Sequence, residues 1–392
     1  MTGETENKTA YPKIYLAIDN CFACKRWTTP EEWCGVISGL GIGYAEASAD
    51  NELDPLFMGR DYLESWIDAV KRAEDTTGVK VANLYSGHGT YTTLGLTHTD
   101  PRVRRRLLDQ WFKPMADTAG RIGAGFGFFA HAFPHRVLQD AALYGEAVAL
   151  LTENLVELNR YAAASGCGQV GIEQMYSPHQ YPWTIGQTRE LVRTVTEESG
   201  SPFYFTEDVG HHRNIFNRPD ISRLPRADAE KKETWFGSDR AFALAKKGDT
   251  AELEEEIRRT PHLFSEPKDG DCYSWLEELG AYSPIIHLQQ TNGHKSDHLP
   301  FTAEHNMRGI IDGTKVLRSL KASYDRVPPG GMPKQCAEIY LTLELFAGTA
   351  AIMHNFLSGM EESVSWWRQW IPRDGMYLDE LIPAGKTGEI HQ

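Results

Sequence analysis

Short apolar segments alternate with longer amphipathic ones along the whole chain, and this alternation limits the folds that it can adopt. Eight segments are predicted to be strands: residues 13–18, 41–47, 79–84, 122–129, 169–173, 202–206, 284–288 and 338–343. Several are almost continuously apolar, as expected for parallel strands that are covered on both faces. The pattern predicts an α/β protein built on a parallel sheet.

Helix-start signals fall between these strands. Thr29-Pro30-Glu31-Glu32 has the pattern of a capping box with proline at the first helical position, Asp100-Pro101 repeats the proline signal, and Thr184 with Gln187 forms a second box. Eight strand–helix units in 392 residues favour a (β/α)8 barrel, the TIM barrel. A doubly wound sheet usually has a glycine-rich turn after its first strand, where this chain has Asp19-Asn20-Cys21-Phe22.

One interval between strands is too long for this pattern. The distance from Asp208 to Pro284 is about twice that of a usual strand–helix unit, and it includes several prolines and a charged helix near 250–259. We expect an insertion at about 213–282, in the loop after strand six and on the face where barrels have their active sites. An inert surface excursion is the alternative. Residues 1–12 are predicted to be a flexible leader, and 13–392 a single barrel domain.

Charge and composition exclude some classes of function. A formal net charge of −14 argues against nucleic acid as a partner, because phosphate backbones require a basic surface. There is no export signal and no apolar run of about eighteen residues, so we expect a cytoplasmic protein without a membrane partner. Of the six cysteines, only Cys21 and Cys24 form a C-x-x-C pair, and reduced thiols are expected. The pair does not open a helix, which disfavours a thioredoxin-like role.

The most informative residues follow the last four strands. Glu173, Asp208, His287 and Glu344 each stand where the chain leaves an apolar run. Because the carboxyl ends of barrel strands converge on one cavity, these side chains are expected to meet. Burying three carboxylates together is costly unless a cation neutralises them, and mixed oxygen and nitrogen ligands suit Mn, Mg, Co or Zn. The alternative is that each carboxylate is solvated or paired with a lysine.

These residues carry a family resemblance. The set of Glu173, Asp208-Val209-Gly210-His211, His287 and Glu344 resembles the pattern of the xylose-isomerase-like barrels, the sugar phosphate isomerase/epimerase superfamily. The resemblance implies one divalent metal bound by Glu173, Asp208, His287 and Glu344. Finer motifs are similar to those of the tetrulose-phosphate racemases or epimerases: residues 21–27, 288–293, 298–302 and 362–368.

The resemblance also implies a reaction. It implies a metal-dependent isomerase or epimerase that acts on a sugar or sugar phosphate, with a ketose (tetrulose) phosphate 3-epimerase as the specific candidate. Glu173 and Glu344 would be the catalytic acid and base on opposite faces of the substrate, with the enediolate held by the metal. His211 would orient a substrate oxygen. No other cofactor is expected.

Further residues are candidates for binding the substrate. Lys25 and Arg26 follow strand one and are suited to gripping a phosphate, although ion pairing at the rim is an equal alternative. The other candidates are polar or aromatic residues that follow strands: Trp27, His88, Tyr176, His179, His294 and His298. A homo-oligomer is expected for such a barrel.

Three other functions remain open from the sequence. A lyase, dehydratase or C-glycoside-cleaving enzyme acting on a 3-oxo sugar would use the same metal site and begin with the same proton abstraction. The hydrolytic DNA-repair relatives of the barrel are disfavoured by the acidic charge. A non-enzymatic barrel would keep its metal content and ligand binding unchanged after Glu344→Gln.

Overall fold

Eight parallel strands close into a barrel in the computed structural model, which describes residues 11–86, 95–212, 239–293 and 295–382. The strands are β1 (Lys13–Asp19), β2 (Tyr44–Ser48), β3 (Lys80–Tyr85), β4 (Gly125–Phe128), β5 (Val170–Glu173), β6 (Tyr204–Asp208), β7 (Ile285–Leu288) and β8 (Glu338–Leu343). Each strand pairs with the next, and β1 pairs with both β2 and β8. The predicted barrel is therefore confirmed, and a doubly wound sheet is excluded.

Helices surround the barrel in chain order. They are α1 (Pro30–Gly39), α2 (Pro55–Met58), α3 (Arg60–Thr77), α4 (Pro101–Leu107), α5 (Lys113–Ile122), α6 (His135–Leu138), α7 (Ala141–Ala164), α8 (Ile185–Ser199), α9 (Asp239–Lys247), α10 (Thr250–Arg259), α11 (Cys272–Leu279), α12 (Ala303–Asn306), α13 (Gly313–Asp325), α14 (Met353–Trp367) and α15 (Leu378–Leu381). The long helices contact their neighbours around the outer ring, α1 with α3, α3 with α5, α5 with α7 and α7 with α8.

The helix starts follow the capping residues of the sequence. The Thr29 side chain accepts a hydrogen bond from Glu32 N, while the Glu32 carboxylate accepts one from Thr29 N, so the capping box is complete. Asp100 caps α4 and Thr184 caps α8. Apolar residues at helical spacing predict a helix over 307–322. The helix begins later, at Gly313, because Asp312 accepts the hydrogen bond of Lys315 N and caps it there.

Aromatic rings and an added strand close the amino-terminal mouth of the barrel. The ring of Tyr15 lies 4.8 Å from that of Tyr44 and 4.9 Å from that of Tyr340, centroid to centroid. A short strand, β9 (Met376–Tyr377), pairs antiparallel with the start of β1. This end is therefore filled, and the opposite, carboxyl end is left for a site.

The long excursion after β6 ends in the sixth barrel helix. Residues 213–238 lie outside the described residues. Beyond them, α9 and α10 form a small apolar cluster of their own, centred on Leu244 and Leu253. Helix α11 packs against α8 and α13, the position of a barrel helix, so the predicted range of 213–282 includes that helix at its end. His262 hydrogen-bonds to Leu138 O, and Asp269 accepts from Ile185 N, so the excursion lies against segments that follow β4 and β5.

The predicted leader is described only at its last two residues. Residues 1–10 lie outside the described ranges. The Tyr11 hydroxyl donates a hydrogen bond to Asp325, and Pro12 O accepts one from Leu378 N, so the described part of this segment contacts the barrel.

Two negative findings concern the described part of the chain. No helix there has the length and apolar character that crossing a membrane requires. None of the six cysteines is in a disulfide, and Cys21 and Cys24 direct their sulfurs to different carbonyls, those of Leu345 and Asp50. The C-x-x-C pair is therefore not a disulfide in this structure.

Candidate metal and catalytic site

The four residues that were predicted to share a cation lie together at the carboxyl end of the barrel. Glu173 and Asp208 are the last residues of β5 and β6, His287 lies within β7, and Glu344 directly follows β8. None of the four is more than 7% exposed. The register of the parallel strands brings them together, because Asp208 pairs directly with His287.

The imidazole of His287 is the centre of this cluster. Its Nδ1 lies 3.3 Å from Glu173 Oε1 and 3.5 Å from Glu344 Oε2. The candidate ligand atoms of Asp208, His287 and Glu344 all lie within 4.8 Å of one another, and so do those of Glu173, Asp208 and His211. The two groups share Asp208, so all four predicted ligands and His211 belong to one buried cluster.

Burial and mutual charge shift the proton affinities of these groups. Burial raises the pKa of Glu173 despite the opposing effect of His287. Burial alone would also raise the pKa of Glu344, but His287 and His298 outweigh it and hold that pKa far below its ordinary value. For His287, burial would lower the pKa, but Glu344 and Glu46 outweigh it and raise the pKa well above its ordinary value. The histidines thus offset only part of the buried negative charge.

The donor set fits a divalent cation. Among the described residues, the ion pairs of Glu173, Asp208 and Glu344 are all with histidines. Glu344 Oε2 is buried and accepts no hydrogen bond within the same ranges. Buried carboxylates without a fixed positive partner are costly, and a bound divalent ion removes that cost. Oxygen and imidazole donors together suit Mn, Mg, Co or Zn and do not select among them.

Two further carboxylates of this cluster were missed by the sequence reasoning. Asp19 is the last residue of β1, Glu46 lies inside β2, and their ligand atoms and that of His287 lie within 4.8 Å of one another. Burial raises the pKa of Asp19, and repulsion from Glu46 and Glu344 raises it further. Asp19 carries the same strand-end signal as the predicted ligands and could have been found by it. Glu46 stands between two alanines and gives no such signal.

A tyrosine completes the surroundings of Glu173. Tyr85, at the end of β3, donates its hydroxyl hydrogen bond to Glu173 Oε2. Its ring also stands edge-on to the ring of His287, with centroids 5.1 Å apart. Tyr85 was not among the predicted site residues, since a tyrosine at the end of a buried strand is ordinary core material in a sequence. It orients a carboxylate that the sequence did identify.

A cavity opens beside the cluster. Residues from several strand ends line it: Asp19, Cys21, Ser48, Asp50, Tyr85, Glu173, His211, His298, Glu344 and Phe346. His211 Nε2 lies 3.1 Å from Asp208 Oδ2, and His298 Nδ1 lies 3.4 Å from Glu344 Oε2. The ring of Tyr176 lies edge-on to that of His211, with centroids 4.9 Å apart. Three predicted substrate-binding residues are therefore at or next to the cavity.

The residues that follow strand one are arranged differently. Arg26 Nη2 donates to Gly348 O at 2.6 Å, which ties the loop after β1 to the loop after β8. Lys25 is exposed and has a positive φ of 65°. Trp27 packs against Phe22, with ring centroids 5.8 Å apart. None of Lys25, Arg26 and Trp27 is among the described residues that line the cavity.

Three of the predicted substrate-binding residues are histidines that the structure does not place at the cavity or does not describe. His179 Nδ1 hydrogen-bonds to Phe133 O at 2.9 Å, and His179 is not among the described residues that line the cavity. His88 and His294 lie outside the described residues. The binding roles suggested for these three histidines stay predictions.

The fold agrees with the comparison to known families. Residues 36–231 match the model of the xylose isomerase-like TIM barrel, and the chain belongs to this family. The resemblance seen in the sequence is thereby confirmed.

Individual proteins are similar to this chain in sequence or in fold. The chain is 26% identical over 251 residues to the D-erythrulose 1-phosphate 3-epimerase of Brucella abortus (strain 2308), a match that covers 63% of this chain and 64% of that protein. Among solved structures, a putative xylose isomerase from Rhodospirillum rubrum is similar with a TM-score of 0.67 and 17% identity, over 91% of this chain and 99% of the other. D-psicose 3-epimerase from Clostridium cellulolyticum H10, solved with D-tagatose, gives 0.54 and 13%, over 91% and 98%. These two likenesses concern the fold.

Proposed function

We propose that this protein is a divalent-metal-dependent sugar isomerase or epimerase that removes a proton from the carbon next to a carbonyl group. The specific reaction we propose is the 3-epimerisation of a ketose phosphate of tetrulose size. Family membership and the 26% identity to a D-erythrulose 1-phosphate 3-epimerase support this choice. The match covers 64% of that relative, so its activity and substrate enter here as a proposal.

One observation carries the proposal. Two carboxylates from strands on different sides of β7, Glu173 and Glu344, approach the same nitrogen of His287 and line the same cavity. An epimerase needs one group to remove a proton from one face of a carbon and a second group to return a proton to the other face. A pair of carboxylates that meets at one cavity from two strands is suited to this task.

Each role follows from the chemistry of the side chains. Glu173 and Glu344 exchange protons with the substrate carbon, and the Tyr85 hydroxyl holds Glu173 in orientation through its hydrogen bond. His211 and His298, which also line the cavity, present imidazole nitrogens to substrate oxygens. When bound, a divalent cation supplies positive charge that stabilises the negative charge developing on those oxygens.

Turnover in D2O tests the proposal. We expect D-erythrulose 1-phosphate, incubated with the protein and Mn²⁺, to yield its 3-epimer carrying deuterium at the reacting carbon. Mass spectrometry separates this outcome from the alternatives, because a dehydratase releases water and a lyase splits the substrate, so that each gives a product of lower mass. If neither deuterium incorporation nor epimer appears with phosphorylated or unphosphorylated ketoses, while the protein binds metal, the proposed reaction is wrong. The Glu344→Gln variant, assayed in parallel, controls for contaminating activity.

Three further properties belong to this proposal. Manganese is our choice for the native metal among Mn, Mg, Co and Zn. A homo-oligomer and a cytoplasmic location also stay predictions from the sequence. Analytical ultracentrifugation and the metal content of the purified protein would test the first two directly.

A further inference from the structure

The Nε2 side of the His287 ring, which points away from Glu173 and Glu344, contacts the carboxylate of Glu46. His287 Nε2 lies 2.7 Å from Glu46 Oε2, while Nδ1 faces Glu173 and Glu344. The other oxygen of Glu46, Oε1, accepts a hydrogen bond of 2.6 Å from Asn83 Nδ2. His287, Glu46 and Asn83 are 0%, 1% and 3% exposed, so water does not compete for these hydrogen bonds.

The backbone is irregular where this contact is made. In the pairing of β2 with β3, Ala45 is opposite Val81, but Glu46 is opposite Asn83, so Ala82 is an extra residue in β3. Such a bulge changes the direction of the side chains that follow it. Here it places the Asn83 amide next to the Glu46 carboxylate, both of which are buried.

Two glycines in β4 leave the space that the Asn83 side chain occupies. A Cβ at Gly125 would lie 2.7 Å from Asn83 Oδ1, and a Cβ at Gly127 would lie 3.0 Å from Asn83 Nδ2. Both distances are shorter than normal contacts, so alanine at either position would displace the amide. Three neighbouring strands therefore contribute to the orientation of one carboxylate.

The hydrogen bond to Glu46 determines which nitrogen of His287 keeps its proton when the other nitrogen binds a metal. A carboxylate can only accept hydrogen bonds, and Asn83 already donates to one oxygen of Glu46. The contact between Glu46 and His287 therefore requires a proton on Nε2. A neutral imidazole with that proton presents the lone pair of Nδ1 toward Glu173 and Glu344, as a metal ligand must.

We propose that Glu46 is a positioning residue for His287 and that Asn83 positions Glu46 in turn, so that Nδ1 is held as a metal ligand. This inference rests on the metal site of the proposed function and concerns residues that do not touch the substrate. It predicts that loss of the Glu46 carboxylate weakens metal binding even though none of the four proposed ligands has changed. Metal-binding histidines commonly depend on such a carboxylate, and its loss weakens binding roughly 10- to 100-fold.

The test measures Mn²⁺ affinity by isothermal titration calorimetry, without any assay of turnover. We expect Glu46→Leu to weaken binding by roughly 10- to 100-fold. Glu46→Gln, which keeps an acceptor oxygen but loses the charge, should fall between wild type and Glu46→Leu. Glu338→Gln is the matched control, because Glu338 is the first residue of β8 and lies at the end of the barrel opposite the metal site. Its Mn²⁺ affinity should equal that of wild type.

Two further measurements separate positioning from a general loss of structure. In ¹⁵N-histidine spectra of the Zn²⁺-loaded protein, wild-type His287 should carry its proton on Nε2 alone, and Glu46→Leu should lose that signature while circular dichroism stays unchanged. Asn83→Ala should weaken Mn²⁺ binding in the wild-type background and have little further effect in the Glu46→Leu background.

The outcomes distinguish this inference from the proposed function. If wild type binds no Mn²⁺ or Zn²⁺, the metal site of the proposed function is wrong and the inference falls with it. If wild type binds metal and the folded Glu46→Leu variant binds it equally well, only the positioning role of Glu46 is wrong.

Discussion

The side-chain amide of Gln289 holds both carboxylate oxygens of Asp208. Its Nε2 lies 3.0 Å from Oδ1 and 2.8 Å from Oδ2. Its Oε1 accepts a hydrogen bond from His298 N, so one side chain joins the predicted ligand on β6 to the loop after β7. The position of Asp208 therefore depends on the space available to Gln289.

Gly210→Ala should disturb this arrangement without changing any ligand. A Cβ at Gly210 would lie 2.7 Å from Gln289 Nε2 and would push the amide away from Asp208. We expect Mn²⁺ affinity to fall by roughly an order of magnitude, measured by calorimetry. Gly43→Ala is the control, because a Cβ there meets no atom within 4 Å. Equal affinities for the two variants would show that Gln289 does not determine the position of Asp208.

Glu173→Gln and Glu344→Gln should each abolish most of the turnover. Loss of a positioned acid or base costs about 10²- to 10⁴-fold in kcat, and both variants also remove a proposed ligand. Assays at saturating Mn²⁺, with metal content measured on the same samples, separate the two effects. Glu338→Gln, at the far mouth of the barrel, should keep wild-type kcat. A Glu173→Gln protein that binds metal and still turns over at the wild-type rate would contradict the assigned role.

Glu52 should make the stability of the fold depend on pH. Its Oε1 accepts hydrogen bonds from Trp33 Nε1 and Trp66 Nε1, both at 2.8 Å, while its buried Oε2 has no partner among the described residues. Burial raises the pKa of Glu52 to about 7. The folded state therefore binds a proton more tightly than the unfolded state, and the free energy of unfolding falls as the pH rises from about 4.5 to about 7.

The Glu52→Gln variant tests this dependence. Between pH 5 and pH 8, the free energy of unfolding should fall less in the variant than in wild type, because the ionisable group is gone. The difference between the two declines should be up to about 3 kcal/mol. Urea denaturation of both proteins at several pH values measures the difference. Parallel curves for wild type and variant would mean that Glu52 ionises in the folded state without cost.

Arg26 should act by holding a loop and not by binding phosphate. Its guanidinium donates to the carbonyls of Gly348 and Thr349, beyond β8. We expect Arg26→Met to raise KM for phosphorylated and unphosphorylated ketoses by a similar factor, in steady-state assays with both substrates. A selective loss for the phosphorylated ketose, restored in Arg26→Lys, would instead assign a phosphate-binding role to this residue.

The strands were predictable because each carries a local signal. Several strands of the barrel are short, almost continuously apolar runs, and polar residues such as Glu173 and Glu344 mark the points where the chain leaves the sheet. The pairing of β1 with β8, which closes the barrel, could be predicted only indirectly, from the count of eight strand–helix units. The start of α13 was predicted too early, because the stretch from 303 to 312 forms a short helix and a cap and not the first turns of one long helix.

The environment of Glu46 could not be predicted in the same way. Its partner His287 is far along the chain, and its partner Asn83 reaches it only through the extra residue Ala82 in β3. No periodicity in the sequence shows such a bulge. The glycines at 125 and 127 read as weak strand residues, although their lack of a Cβ is what the Asn83 amide requires.

The pairing of β1 on both sides also bears on how the chain folds. Its partners include β8 and the β9 residues Met376 and Tyr377, all of them far along the sequence from Lys13. The first strand therefore keeps one edge open until these distant segments reach it. Contacts of such long sequence separation form slowly, so we expect closure of the ring to be a late step in folding.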